Sequence, residues 1–131
     1  MTTRLASCSC GQLSISCEGE PMRVSLCHCL GCQRRTGSVF GVTARFPDAD
    51  VRVEGVSTTY VRVGDSGGAA TFHFCPRCGS SVYWKADQIP GVTAVAVGAF
   101  ADPNFPAPTV AVYDGRRHAW VQPPEGVEQL D

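Results

Sequence analysis

The sequence of 131 residues has no long hydrophobic run, and its longest apolar stretch, residues 92–101, is too short to span a bilayer. Residues 1–8 also have no apolar run that could serve as the core of a signal peptide. We therefore expect a soluble, cytoplasmic protein with no membrane partner. In that compartment thiols stay reduced.

An excess of basic charge is also absent. Lys and Arg number 11 and Asp and Glu 12, which gives a formal net charge of -1. Nucleic-acid-binding domains usually carry a basic face, so we expect no nucleic-acid partner. The hydrophobic share of 44% is typical of a globular chain. We expect one domain over residues 1–131, with an end that is loosely held from about residue 122.

Helical periodicity is scarce, whereas apolar and polar residues alternate with a period of two in several segments. Turn residues separate these segments, which predicts a mainly β fold of short antiparallel strands. The predicted strands are residues 12–17, 22–26, 38–46, 51–54, 57–63, 70–74, 80–84, 93–98 and 109–113. A short helical turn is predicted over residues 29–36, ended by Gly37.

Cysteine is the residue type that the sequence uses unusually. The total is 8, and seven of these fall into two C-x-C pairs and two C-x-x-C pairs: Cys8/Cys10, Cys27/Cys29, Cys29/Cys32 and Cys75/Cys78. A chain of this length can bury a core without disulfides. Close cysteine pairs in a reducing compartment favour zinc, because a tight turn with two thiolates supplies half of a tetrahedral site.

The turn after Cys75 shows this device most clearly, because Pro76 presets the turn and Gly79 follows the second cysteine, Cys78. Gly79 can adopt a positive φ and direct backbone N–H groups at the sulfurs. The alternatives are a disulfide within each pair or cysteines that act as small buried hydrophobes.

Spacing alone does not settle which pairs share an ion. The pair Cys29/Cys32 together with Cys75/Cys78 would also make a plausible zinc-ribbon site.

Three motifs occur in order along the chain, followed by two further segments. They are Cys8-x-Cys-Gly11, Cys27-His-Cys-x-x-Cys-x-Arg-x-x-Gly37, Phe74-Cys-x-x-Cys-Gly-Ser80, Gly98-Ala-Phe-Ala-Asp-Pro103 and Arg117-His-Ala-Trp-Val121. This set resembles the glutathione-dependent formaldehyde-activating family, which also includes centromere protein V, over nearly the whole chain.

The resemblance implies a zinc-stapled β-ribbon fold with two zinc ions per chain. It implies that Cys8, Cys10, Cys75 and Cys78 close a structural site. The triplet Cys27, Cys29 and Cys32 would hold the second zinc. Three thiolates leave a coordination position for water or substrate, as in catalytic zinc sites.

The family's type reaction adds glutathione to formaldehyde without a redox cofactor. The resemblance therefore implies a carbon-sulfur lyase or synthase that adds glutathione or a similar thiol to formaldehyde or a related aldehyde. The alternative is a non-catalytic zinc-binding module that carries a thiol or binds a protein partner.

Arg34 and Arg35 follow the cysteine triplet within one turn. Glutathione carries two carboxylates, so these two guanidinium groups are candidate contacts for the thiol substrate. The alternative is a solvated surface pair.

No role is assigned to the remaining candidates. His28 lies between two ligands and could be a proton donor or a group that supports the metal. Adjacent side chains usually diverge, so a structural or exposed side chain is expected instead. His73 is expected to be a pleat residue that faces water or the structural zinc. His118 has no assigned role, and Cys17 is expected to be a buried, inert thiol.

Overall fold

A computed structural model describes residues 2–64 and 66–131 of the chain. Its strands are β1 (Thr3–Ser7), β2 (Ser14–Glu18), β3 (Arg23–Cys27), β4 (Gly41–Pro47), β5 (Val51–Glu54), β6 (Thr58–Val63), β7 (Ala69–Phe74), β8 (Ser81–Ala86), β9 (Val92–Ala96), β10 (Val110–Val112) and β11 (Glu128–Gln129). The helix α1 spans Leu30–Thr36, and short 3-10 helices span Asp48–Asp50, Val97–Phe100 and Asp114–Arg116.

The strands form two sheets. The smaller has the order β1-β2-β5, and the larger has the order β11-β10-β3-β4-β9-β8-β7-β6. All pairs are antiparallel except those of β10, which runs parallel to both β3 and β11. The mainly β class is confirmed.

The nine predicted strands correspond to β2 through β10, with shifted ends for all except β5, whereas β1 and β11 were not predicted. The expectation of antiparallel strands was wrong for β10. Alternation marks a strand but carries no information about the direction of its partner.

Near the chain end, where the sequence indicated a loosely held segment, the Glu128 N–H donates to the Thr109 carbonyl and the Leu130 N–H donates to the Ala111 carbonyl.

The predicted helical turn is confirmed, and both of its ends have local causes. Cys29 caps the start, because its Sγ accepts a hydrogen bond from the Cys32 N–H at 3.2 Å. Gly37 ends the helix with φ 71, and its N–H donates to the Gln33 carbonyl. A left-handed residue after the last turn is the usual glycine stop.

One face of the large sheet packs against the small sheet to form the core. Alternating residues of β2, β3, β4 and β9 point into it, and Ile15, Ala44, Phe46 and Val95 are fully buried. The opposite face lines a cavity of about 420 Å³. In the described part of the chain, no helix has the length and apolar character needed to cross a membrane.

Candidate metal centres and the adjoining cavity

The structure brings Cys8, Cys10, Cys75 and Cys78 together into a four-cysteine cluster. Their Sγ atoms all lie within 4.8 Å of one another, and Cys10 is 3.6 Å from both Cys8 and Cys75. Tetrahedral zinc with Zn–S bonds of about 2.3 Å places its sulfurs roughly 3.8 Å apart. The spacing therefore fits one tetrahedral ion.

Two turns shape this cluster and direct N–H groups at the sulfurs. Gly79 has φ 80, as expected, and its N–H donates to the Cys75 carbonyl at 2.8 Å. The Arg77 N–H donates to the Cys75 Sγ at 3.3 Å, and the Gln12 side-chain amide donates to the same sulfur at 3.0 Å. Such donors stabilise the negative charge of a thiolate.

Two members of the four-cysteine cluster belong to the hydrophobic core, whereas Cys10 and Cys78 are exposed. Cys8 and Cys75 are buried among the core side chains, so they fix the loop after β1 against the turn between β7 and β8. Hydrogen bonds with the Ser80 hydroxyl and backbone N–H, and with Cys10, lower the pKa of Cys78 to about 5. Because Cys8 and Cys75 are also core side chains, the geometry of the four-cysteine cluster depends on the packing of the core.

A three-cysteine cluster forms where β3 meets α1. Cys27 ends the strand, Cys29 caps the helix and Cys32 lies in its first turn, with the three Sγ atoms within 4.8 Å of one another. Hydrogen bonds with Cys27 and Cys32 lower the pKa of Cys29 to about 2, whereas hydrogen bonds with Cys29 and Cys32 raise that of Cys27. Without a cation, the ionisation of one of these thiols therefore opposes the ionisation of the others. A divalent cation is what would allow all three sulfurs to ionise.

Two guanidinium groups lie beside the three-cysteine cluster. The Arg35 group stacks on Trp84 at 4.3 Å from the ring centroid, and the Arg62 group lies 4.9 Å from the centroid of Phe72. A side chain at Gly31 would collide with Arg62, so the absence of a Cβ there lets the guanidinium approach the helix. These cations suit a zinc ion with three thiolates, whose formal net charge is -1.

The two clusters differ in what lies next to them. Cys27 and Cys32 line the cavity of about 420 Å³ on the outer face of the large sheet. Cys8 and Cys78 border a separate groove of about 880 Å³, which also reaches Arg35 and Thr36 of α1. Only the triplet, among these two described clusters, combines an incomplete set of sulfur ligands with a neighbouring cavity.

The arginines predicted from the sequence lie outside this cavity. Arg34 is exposed in the last turn of α1, and Arg35 stacks on Trp84 without lining the cavity. Their contact with substrate carboxylates stays a prediction. The described arginines that do line the cavity are Arg23, Arg45 and Arg62. Sequence reasoning missed them, although Arg23 lies four residues before Cys27 on the same alternating strand.

His28 and His118 are joined through Gln33 of α1. His28 is fully buried, and neither ring nitrogen has a hydrogen-bond partner in the described structure. Burial lowers the pKa of this histidine. The Gln33 amide donates to the His28 carbonyl at 2.9 Å, and its Oε1 lies 3.0 Å from the His118 Nε2. Gln33 therefore links the loop that carries the three-cysteine cluster to the C-terminal segment.

The other two unassigned residues are His73, which is half-buried, and Cys17, which is buried. The His73 Nδ1 lies 2.9 Å from the Ser57 Oγ, and its ring stacks on Tyr83 with centroids 4.3 Å apart. Cys17 is fully buried, and burial raises the pKa of its thiol to about 11. These surroundings suit a packing role for both side chains.

The fold and the site define a mainly β protein with two cysteine clusters that are compatible with two metal sites. The family model described as "Glutathione-dependent formaldehyde-activating enzyme" matches residues 3–116, and the chain belongs to that family. In fold, it is similar to a Rhodobacter sphaeroides protein whose crystal structure was a structural genomics target. The TM-score is 0.58, with 21% identity over 97% of this chain and 99% of that chain. No curated protein matches the chain.

Proposed function

We propose that this protein is a zinc-dependent carbon-sulfur lyase or synthase that adds a small thiol to formaldehyde or a related aldehyde. Glutathione or a thiol of similar chemistry is the proposed partner of the reaction. Family membership supports this reaction class, and the three-cysteine cluster beside the cavity is the single observation that carries the proposal.

The three-cysteine cluster has the chemistry that this reaction needs. Cys27, Cys29 and Cys32 would hold the zinc, which when bound lowers the pKa of a thiol or polarises a carbonyl. The four-cysteine cluster, by contrast, already offers a complete tetrahedral set and suits a structural ion. We therefore assign the chemistry to the triplet and stability to Cys8, Cys10, Cys75 and Cys78.

The reaction is an addition that balances without a redox partner. The thiol sulfur forms a bond to the carbonyl carbon, the carbon-oxygen π bond breaks, and the proton of the thiol ends on the new hydroxyl oxygen. Arg62 and Arg35 would balance negative charge near the sulfurs. The cavity next to Cys27 and Cys32 would hold the rest of the thiol substrate.

Exchange spectroscopy tests this proposal. Formaldehyde and glutathione at equilibrium exchange with their hemithioacetal, and the zinc-loaded protein is expected to raise the exchange rate above the uncatalysed rate. Cys29→Ser removes one of three ligands and is expected to return the rate to the uncatalysed value.

Cys17→Ala is the matched control, because it removes a thiol that lies in neither cluster. It is expected to keep both metals and the accelerated exchange. If the wild type does not exceed the uncatalysed rate with any small thiol, the enzymatic proposal fails and a non-catalytic zinc module takes its place.

A further inference from the structure

The outer face of the large sheet carries polar side chains in ordered rows. On β3 the alternation places Cys27, Ser25 and Arg23 on the cavity side. On β4 the residue opposite Ser25 is Thr43, and the residue opposite Arg23 is Arg45. A row of hydroxyls and then a row of guanidinium groups therefore follow the metal ligand along the sheet.

The guanidinium row forms no ion pair in the described structure. None of the ion pairs among the described residues includes Arg23 or Arg45, and the Arg23 Nε is buried without a hydrogen-bond partner. Burial, and then the neighbouring Arg23, lower the pKa of Arg45. The described carboxylates that line the cavity are Asp87 and Asp131, which accept hydrogen bonds from the N–H groups of Ala69 and Gly115.

This arrangement costs stability if it serves only the fold. Like charges at directly opposite positions of an antiparallel pair destabilise a sheet. A buried donor without a partner adds a further cost. A bound anion would remove both costs, because a guanidinium group donates two parallel hydrogen bonds to a carboxylate.

The geometry of β3 gives the length of a ligand that would reach from the three-cysteine cluster to the guanidinium row. Each residue of a strand advances about 3.3 Å, so Arg23 lies roughly 13 Å along β3 from Cys27, and the hydroxyl row lies about half way. A peptide of about three residues spans roughly 10 Å. Cysteine itself or a two-carbon thiol is too short to reach from the metal ligands to the guanidinium groups.

We propose that Arg23 and Arg45 form an anion subsite that binds the remote carboxylate of a peptide-sized thiol whose sulfur lies at the three-cysteine cluster. The identification of this ligand as a substrate rests on the proposed function. Arg62, which also lines the cavity, lies between α1 and β7. Because Arg23 and Arg45 would contact the end of the ligand remote from its sulfur, they are specificity-determining residues rather than catalytic ones.

A thiol-capped ligand separates this subsite from the chemistry at the metal. S-methylglutathione keeps both carboxylates but has no free thiol, and its diester lacks the two negative charges. Calorimetric titration of the zinc-loaded protein is expected to show binding of the diacid, with affinity reduced about tenfold or more for the diester. Added salt is expected to weaken binding of the diacid.

Two variants locate the anion site. Arg45→Gln and Arg23→Gln are each expected to weaken binding of the diacid about tenfold while leaving the thermal midpoint unchanged or raised, because a like-charge pair is removed. Arg52→Gln is the matched control, since Arg52 is exposed on the small sheet. It is expected to bind like the wild type.

Equal affinity for diacid and diester, or unchanged affinity in both arginine variants, would overturn the subsite. A fall in the thermal midpoint with unchanged binding would show a structural role instead. These outcomes do not depend on catalysis. Binding that needs Arg23 and Arg45 without accelerated exchange would reject the proposed function alone, and accelerated exchange without a preference for the diacid would reject the subsite alone.

Discussion

The four-cysteine and three-cysteine clusters use the same ligand atom in opposite surroundings. The first has two buried members inside the hydrophobic core, and N–H groups of neighbouring turns contact its sulfurs. The second lies at the junction of a strand and a short helix, beside a cavity and two guanidinium groups. This contrast in ligand number and packing is the basis for the proposed division into a stabilising site and a reactive one.

Removal of a ligand from the core cluster should have the largest effect. Cys75→Ser removes a fully buried sulfur that joins the two ligand-bearing turns. Binding of a structural zinc contributes on the order of 10 kcal/mol to folding, which matches the whole stability of a small domain. We expect no cooperative thermal transition by circular dichroism. A folded Cys75→Ser variant with a normal midpoint would contradict the structural assignment.

Stepwise chelation should separate the clusters in the wild type. The three-cysteine site has fewer protein ligands and adjoins the cavity, so a weak chelator is expected to remove one metal equivalent from it first. Thiol binding should then be lost while the circular dichroism spectrum persists. A stronger chelator should remove the second equivalent and unfold the chain. Simultaneous loss of both metals and of the fold would contradict the proposed difference between the two clusters.

Two glutamines offer a matched pair of smaller changes. Gln12 donates to the Cys75 Sγ and exchanges two hydrogen bonds with the Val56 backbone, so Gln12→Ala should lower stability by about 1–2 kcal/mol. Gln33 holds the His28 carbonyl, so Gln33→Ala should weaken the second metal by about tenfold with a smaller change in stability. Denaturant titration and competitive metal titration measure the two effects. The reverse pattern would contradict the assignment of roles.

The smallest effect should come from a substitution remote from both clusters. Hydrogen bonds from Thr93 and then Lys85 lower the pKa of Asp48. Its contribution to stability is therefore present above the ordinary carboxyl pKa and is lost as the pH falls through the lowered value. The Asp48 side chain is 39% exposed, so solvent screening limits the contribution of its ion pair to about 0.5 kcal/mol. Asp48→Asn should remove this part of the acid sensitivity and leave metal binding unchanged.

The sequence predicted the parts of this molecule that local patterns encode. Alternation marked β2 through β10, and Gly37 marked the end of α1. The cysteine motifs, through their resemblance to a family, also implied the grouping into four and three that the structure shows.

Long-range pairing was not visible in the same way. Nothing local indicates that β10 runs parallel to β3, because strand direction depends on the path of the chain between them. The facing of Arg23 and Arg45 across β3 and β4 depends on register, which a single sequence does not specify. Proximity in sequence pointed instead to Arg34 and Arg35, which lie outside the cavity.

Native mass spectrometry of the wild type and of Cys29→Ser, each with glutathione, tests the division of roles most directly. We expect two zinc ions and one bound thiol on the wild type. For the variant we expect one zinc, no bound thiol and a folded charge-state distribution. Two zinc ions with bound thiol on Cys29→Ser, or loss of both ions and of the folded distribution, would contradict the assignment of an open site to the triplet.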